Sequence, residues 1–399
     1  MTTAQELGRG WKILLVCMIG VGFGATGLPF YTMGLFMKPL SAEFGWSAAT
    51  VAGAAMCLQA GLIVTAPFVG KVVDRFGARR VALLSLAGLA AGFVALTQMR
   101  GTVTALYASW LVLALVACGT TPVVWTRTVN AWFERSRGLA LGLTLAGTGV
   151  AAILGPILIG GVIAAHGWRA GYWTMAAAVL LGALPLVALL LREAPIQAVS
   201  TVTTATRNLG AALRTRQFWQ CAAGFLLAGG AIAALIVHLV PSMVDGGLAP
   251  ARAAALAGLL GVSIIVGRLA LGFLADRFHA PYVGFAFLLL PVLGVYLLIQ
   301  GQPVLAILAI GLAAGAEVDL LAYLTARYFG LAAYGEIYGW QLSAFSLGAG
   351  LGPLLLGAAR DHWGAYAPGL TICAGLIVVG AALIAALGRF PVVEPSTET

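Results

Sequence analysis

The sequence predicts an all-α integral membrane protein of 12 transmembrane helices, arranged as two pseudo-symmetric six-helix bundles. Three observations carry that prediction. The 399 residues are 61% apolar and only 9% charged, with a mean hydropathy of +1.01, whereas about a quarter of the residues in soluble domains are charged. Apolar runs of about 18 residues or more recur along the chain, the length that about 30 Å of hydrocarbon demands of a helix; helices satisfy their own backbone polar groups in lipid. Finally, two unrelated motifs each occur twice at nearly one spacing. "GKVVDRFGARR" from Gly70 returns as "GFLADRFHA" from Gly272, an offset of 202 between Asp74 and Asp276. "LGPILIGG" from Leu154 returns as "LGPLLLGA" from Leu351, an offset of 197. Such parallel repeats mark duplicated membrane bundles.

Taken in order, the first six spans are expected at 12–37, 47–70, 80–98, 103–130, 138–164 and 168–191. The first is too long for a cleaved signal peptide and lacks a cleavage-site pattern. From Glu193 the chain turns polar ("EAPIQAVSTVTTATRNLGAALRTRQ"). The expected organisation is therefore a bundle at 1–192, a cytoplasmic linker at 193–216 and a second bundle at 217–399. The second six spans are expected at 217–240, 252–275, 280–299, 303–326, 336–358 and 366–388.

The formal charge of +9 raises the possibility of a nucleic-acid partner, and the location of the basic residues argues against it. With the N-terminus inside, only Lys38, Arg100, Arg169, Arg252 and Arg360 of the 22 Lys and Arg residues fall at outer ends. All the rest but one fall at cytoplasmic ends and loops, which is the positive-inside pattern and fixes both termini in the cytoplasm of an inner membrane. The exception is Arg268, inside span eight. The five cysteines are scattered, each within a span and without metal-ligand spacing, and read as packing residues.

The loop "GKVVDRFGARR" resembles the Gly-x-x-x-Asp-Arg-x-Gly-x-[Arg/Lys] motif of the major facilitator superfamily, and span count, linker and duplication extend the resemblance over essentially the whole chain. It implies that Asp74, Arg75 and Arg79, with Asp276 and Arg277 in the second copy, latch the bundles on the cytoplasmic side. The second copy departs from the pattern, with His279 where Gly77 stands in the first. Gly155-Pro156 resembles the span-five kink of proton antiporters in that superfamily, and equally fits a plain helix bend.

Four ionisable residues remain inside the spans: Arg268, Glu317, Asp319 and, near the outer surface, His238. Each costs about 2.5 to 3.5 kcal/mol at a helix centre, so each is expected to face a cavity or a partner. Arg268 lies eight residues, roughly 12 Å of helical rise, before Asp276 at the end of span eight. Asp319 lies eight residues before Arg327 at the end of span ten, so the two share one depth and can pair. On the helical wheel Asp319 shares a stripe with Gly315 and Tyr323, while Glu317 sits about 160° away. An interfacial role for His238 competes with a proton-relay role.

A guanidinium is permanently charged and its planar fork matches a carboxylate, which makes Arg268 a candidate anion anchor. Within the superfamily the chain most resembles the monocarboxylate transporter group and its bacterial relatives. The features are an arginine in span eight before "LADR", the span-one stretch "GLPFYTMGLFMKPLSAEFGWS", and "GAEVDLLAYLTARYFG" in span ten. The resemblance implies proton-coupled symport of a small monocarboxylate, with the anion at Arg268, the proton at Asp319 or Glu317, and Phe30, Tyr31 and Tyr323 lining the pocket. The group's lysine after the span-one proline is replaced by Phe30, and its acid four residues before the arginine by Ile264. Proton coupling therefore falls to span ten or His238. Thr120, Thr121, Trp125, Thr148 and Gln341 lie on the expected lining. With a single firm cation in the cavity, one carboxylate fits better than two.

No nucleophilic, metal or phosphate-loop arrangement appears, so no enzyme, cofactor or metal site is expected. The expected partners are a small organic anion, protons and the lipid bilayer, with the chain acting as a monomer. Anion exchange, proton-driven drug efflux and a non-transporting membrane sensor stand as alternatives.

Overall fold

The computed structural model describes residues 3–46, 48–193, 208–249, 252–253, 256 and 258–391. Residues 194–207, most of the expected linker, lie outside the described residues. The described chain is helical, with no strands among the described residues. The helices are α1 (Thr3–Phe23), α2 (Leu28–Phe44), α3 (Ala48–Phe76), α4 (Ala78–Thr97), α5 (Val103–Ala117), α6 (Pro122–Trp132), α7 (Arg137–His166), α8 (Trp168–Ala177) and α9 (Leu184–Leu190). After residue 207 come α10 (Leu209–Leu213), α11 (Arg216–Val237), α12 (Leu239–Asp245), α13 (Leu259–Ala275), α14 (Ala280–Ile299), α15 (Pro303–Phe329), α16 (Tyr334–Trp363) and α17 (Tyr366–Ala385). Among the described residues, 11 helical segments are long and apolar enough to span a membrane, and α13, 17 residues long, holds the place of the twelfth.

The chain divides into two compact units, and the division runs through two helices. Unit 1 comprises Met1–Glu134, Leu143–Thr201 and Leu331–Gly339; unit 2 comprises Arg135–Gly142, Val202–Gly330 and Trp340–Thr399. Helix α7 thus starts in unit 2 and continues in unit 1, and α16 does the reverse. The crossover glycines, Gly142 and Gly339, are 197 residues apart, the spacing of the duplicated "LGP" motif. In unit 2 the most enclosed helix is α15, which packs against α13, α14 and α11.

The sixth expected span carries a π-helical stretch, Ala178–Ala183, between α8 and α9, and the seventh passes from α11 to α12 at His238; the first and fourth break at turns. The first divides into α1 and α2 around Gly24–Gly27, where Pro29, lacking an N–H, starts the new helix at little cost. The fourth divides at a short 3₁₀ turn, Cys118–Thr120, after which Thr121 and Pro122 restart the chain as α6. The two breaks meet. Ala25 donates its N–H to Thr120 Oγ1 at 2.9 Å, and a side chain at Gly24 would collide with the Thr120 carbonyl. The Thr120 hydroxyl of the second break thus supplies a partner for a backbone N–H that the first break frees, as buried polar groups require.

Other ends follow ordinary capping chemistry. Thr102, Asn208 and Thr215 accept N–H bonds at the starts of α5, α10 and α11. Gly77 turns α3 into α4 with φ +86°, and Glu193 Oε1 accepts the Arg79 N–H at 2.9 Å at the start of α4.

Candidate functional site

The site begins with glycines. A side chain at Gly267 of α13 would collide with the Leu312 carbonyl, and one at Gly315 of α15 with the Ile264 carbonyl. Small residues at these crossings let the two backbones touch, the usual basis of close helix packing in lipid. That contact brings Arg268, next to Gly267, and Asp319, one turn after Gly315, against one another. Arg268 Nη1 donates to Asp319 Oδ1 at 2.6 Å, with side-chain exposures of 11% and 2%. Neither Arg268 Nε nor Asp319 Oδ2 has a hydrogen-bond partner among the described residues. The pair is therefore closed by one contact and keeps a donor and an acceptor in reserve.

The rest of the stripe on α15 follows the same helix. Tyr323, four residues after Asp319, donates its hydroxyl to the Ala275 carbonyl of α13 at 3.0 Å. Glu317 points elsewhere: it is buried, and its Oε2 lies where a side chain at Gly229 of α11 would meet it at 3.6 Å, next to the Phe345 ring. Glu317 Oε2 has no hydrogen-bond partner among the described residues.

Above this pair in unit 2, Asp276 accepts N–H bonds from Gly138 at 2.7 Å and Leu139 at 3.0 Å, at the start of α7. In unit 1 Asp74 does the same for α16, accepting from Gly335 at 3.2 Å and Glu336 at 3.1 Å. A carboxylate aimed at the first N–H groups of a helix satisfies orphan donors and favours the positive end of its dipole. The two arrangements are copies, because Gly138 and Gly335 differ by 197 and Asp74 and Asp276 by 202.

The sequence profile of the Major Facilitator Superfamily matches residues 14–353. The chain belongs to that superfamily. Among its relatives is Monocarboxylate transporter 11 of Mus musculus, 28% identical over 96% of this chain and 88% of its own length. The Oxalate:formate antiporter of Oxalobacter formigenes is 31% identical over 66% of this chain and 61% of its own. Among solved structures, the transporter FucP in its outward conformation superposes with a TM-score of 0.74 over 95% of this chain and 98% of its own at 15% identity. The human organic anion transporter MFSD10 does so with 0.73 over 94% and 99% at 18%. Both share the fold. This major facilitator is a multi-pass membrane transporter and not an enzyme.

The remaining expected site residues of this major facilitator fall in several environments. Phe30 and Tyr31 are 46% and 39% exposed on the first turn of α2 and meet edge to face at 5.1 Å. Trp125 is fully buried; its indole N–H donates to the Thr120 carbonyl at 3.0 Å and its ring fills the space over Gly20. Thr121 is buried at the restart of α6, its hydroxyl without a partner among the described residues. Thr148 donates within its own helix to Leu145. Gln341 is fully buried and donates to the Phe218 carbonyl at 2.9 Å. His238, between α11 and α12, has both ring nitrogens engaged: Nε2 with the Pro353 carbonyl at 2.9 Å and Nδ1 with the Tyr366 hydroxyl at 3.1 Å.

The basic residues of the two motif copies separate from the acids. Arg75 lies over the Phe76 ring and Arg277 over the Phe273 ring, 3.7 Å from its centroid. Arg79 donates to the Ala188 carbonyl at 2.6 Å. The cation that meets Asp74 is Arg127 of α6, Nε to Oδ1 at 2.7 Å. Sequence reasoning assigned Arg127 only to the positive-inside pattern, because a charge at a span end carries no sign of its partner. Its counterpart 200 residues on, Arg327, lies 4.4 Å over the Phe390 ring. The role of Gly142 was also missed. A Cβ there would stand 2.8 Å from the Arg268 carbonyl and 3.5 Å from Asp319 Oδ2. Glycine abundance hid it; the one available signal was its correspondence, through the duplication, with Gly339.

Proposed function

We propose that the chain carries a small organic anion with a single carboxylate across the membrane together with a proton. The observation that carries this reading is the buried Arg268–Asp319 pair, whose guanidinium Nε–H and carboxylate Oδ2 have no hydrogen-bond partner among the described residues. Intramembrane ions that are paired yet not saturated mark solute and proton paths. An arriving carboxylate competes with Asp319 for the guanidinium, and a proton taken up by Asp319 releases the cation to bind it. Anion and proton then cross as a neutral sum while the duplicated bundles rock about the site. The relatives named as monocarboxylate transporters support the solute class. The antiporter relative supports a second mode, exchange of one anion for another at the same arginine.

In this reading the chain forms bundles at 1–192 and 217–399 joined by 193–216, acts as a monomer of the inner membrane, and keeps both termini in the cytoplasm. Asp74 and Asp276 hold the helix starts that close the cytoplasmic side, with Arg127 completing the first latch. Tyr323 and the exposed Phe30–Tyr31 pair supply apolar and hydroxyl surface for the remainder of the solute.

The test is uptake of labelled short monocarboxylates into proteoliposomes under an imposed pH gradient. Arg268→Gln is expected to cut uptake about a hundredfold or more, the scale on which truncating a buried charge partner acts, while the purified variant keeps its cooperative melt. Undiminished uptake by that variant would remove Arg268 from the site. Uptake that requires an anion inside and ignores the pH gradient would select exchange over symport.

A further inference from the structure

We propose that a groove between α11, α16 and α17 of unit 2 holds one acyl chain of a zwitterionic membrane phospholipid, with its head group at the end carrying Arg360 and His362. The groove has a volume of about 460 Å³, and apart from His362 and Trp363 at that end its lining side chains carry no nitrogen or oxygen. Leu351, Leu355 and Ile372 on its rim are exposed, so the groove is continuous with the apolar surface that a membrane protein turns to lipid. Along α16 it runs from Gly348 to Trp363, roughly 22 Å of helical rise. One leaflet supplies about 15 Å of hydrocarbon, so the groove accommodates one leaflet's chain and reaches the head-group level. The residues at that end suit this level. Trp363 is half exposed, as indoles are at membrane–water interfaces. Arg360 meets Asp245 through a single contact at 3.3 Å, and Asp361 and His362 are exposed beside it. The guanidinium matches a phosphate and the two carboxylates match an ammonium.

The duplication built this groove twice. In unit 1 a groove is lined at matching positions: Leu154 and Leu158 of α7 correspond to Leu351 and Leu355 at an offset of 197, Gly22 of α1 to Gly230 at 208, and Ala178 to Leu376 at 198. Its volume is only about 220 Å³, and along α7 its lining stops at Ile159. Two differences in sequence lie at the missing end. Ile163, the counterpart of Arg360, occupies the space that a side chain at Gly171 would need. Arg360 turns instead to Asp245 and stands 5.9 Å over the Tyr366 ring. Met175 stands where unit 2 has Cys373, its sulfur accepting from the Thr32 hydroxyl at 3.7 Å, whereas Cys373 lines the open groove. The unit 1 copy thus ends short of the head-group level, and the unit 2 copy reaches it.

The experiment titrates the full-length protein, purified in detergent and stripped of lipid, with palmitoyl-oleoyl phosphatidylethanolamine. Native mass spectrometry counts the bound lipid and a thermal melt reads its effect. The native protein is expected to take up one lipid in preference to further ones and to melt at a higher temperature with it. Arg360→Ile combined with Cys373→Met gives unit 2 the residues that narrow unit 1. That variant is expected to bind the lipid at least about tenfold more weakly, the effect of withdrawing about two methylene groups from apolar contact, while its lipid-free melt stays cooperative. Leu351→Trp, on the rim, is expected to weaken binding likewise, and Leu154→Trp, on the matching rim of unit 1, to leave it at the native value. Native-level binding by the double variant overturns the proposal. Equal losses in the two tryptophan variants also overturn it, because they assign the lipid to the outer surface at large. A melting shift given by glycerophosphoethanolamine, the head group without chains, overturns the acyl-chain assignment. A native protein that takes up no lipid and runs as a dimer gives the groove to a second copy and overturns it too. Should the double variant fail to fold, the two tryptophan variants decide. No transported solute enters these measurements, so their outcome is independent of the anion reading.

Discussion

At the scale of single residues, the Arg268–Asp319 contact divides two jobs that the sequence left joined. A guanidinium offers donors only, so in the proposed mechanism the member of the pair that takes up the proton is Asp319. Asp319→Asn keeps the size and one acceptor facing Nη1 but ends the competition between acid and solute for the guanidinium. The expected outcome is an anion affinity equal to or above that of the native protein, with uptake that no longer follows the imposed pH gradient. Solute-induced thermal shifts and proteoliposome uptake with and without the gradient check the two halves separately. A variant that still accumulates solute along the gradient would move the proton to Glu317, whose Oε2 is also buried without a hydrogen-bond partner among the described residues. His238 is a poorer bearer, since both of its nitrogens hold α11 to Pro353 and Tyr366.

At the scale of elements, the pair depends on how closely α13 and α15 cross. Gly315→Ala places a methyl against the Ile264 carbonyl, and overpacking of this kind costs about 1–3 kcal/mol. The backbones must separate, and Arg268 and Asp319 separate with them although neither is changed. Gly315→Ala is therefore expected to lower the melting temperature and to lose anion uptake together. Gly261→Ala, on the same helix as Arg268 but with open space at its Cβ position, should change neither. An active Gly315→Ala would show that the crossing does not set the site. This dependence also marks what could be read in advance. Span number followed from apolar length, and the common depth of Arg268 and Asp319 followed from counting residues to the helix ends. The breaks at Gly24–Gly27 and Thr121–Pro122 were not legible, because the chain stays apolar through them and the contact between Ala25 and Thr120 joins positions 95 residues apart. The partner of Asp74 was not legible either: Arg127 is 53 residues away on another helix, and depth alone did not single it out from the other basic residues at span ends.

At the scale of the whole molecule, the duplication has produced two copies of one helix-start cap, one in each unit. In each, an aspartate ending a shorter span holds the first N–H groups of a 30-residue helix, α16 in one case and α7 in the other. Replacing such a cap costs about 1 kcal/mol, and more where a charge partner is left behind, as Arg127 would be. Asp74→Asn is expected to lower the melting temperature of the purified protein and Asp276→Asn to do likewise. Because the two acids cap different helices in different units, their effects should add within about 0.5 kcal/mol in the double variant. Sub-additive loss would mean that releasing one helix start already releases the other. The two caps would then act on stability as one cooperative element rather than as two.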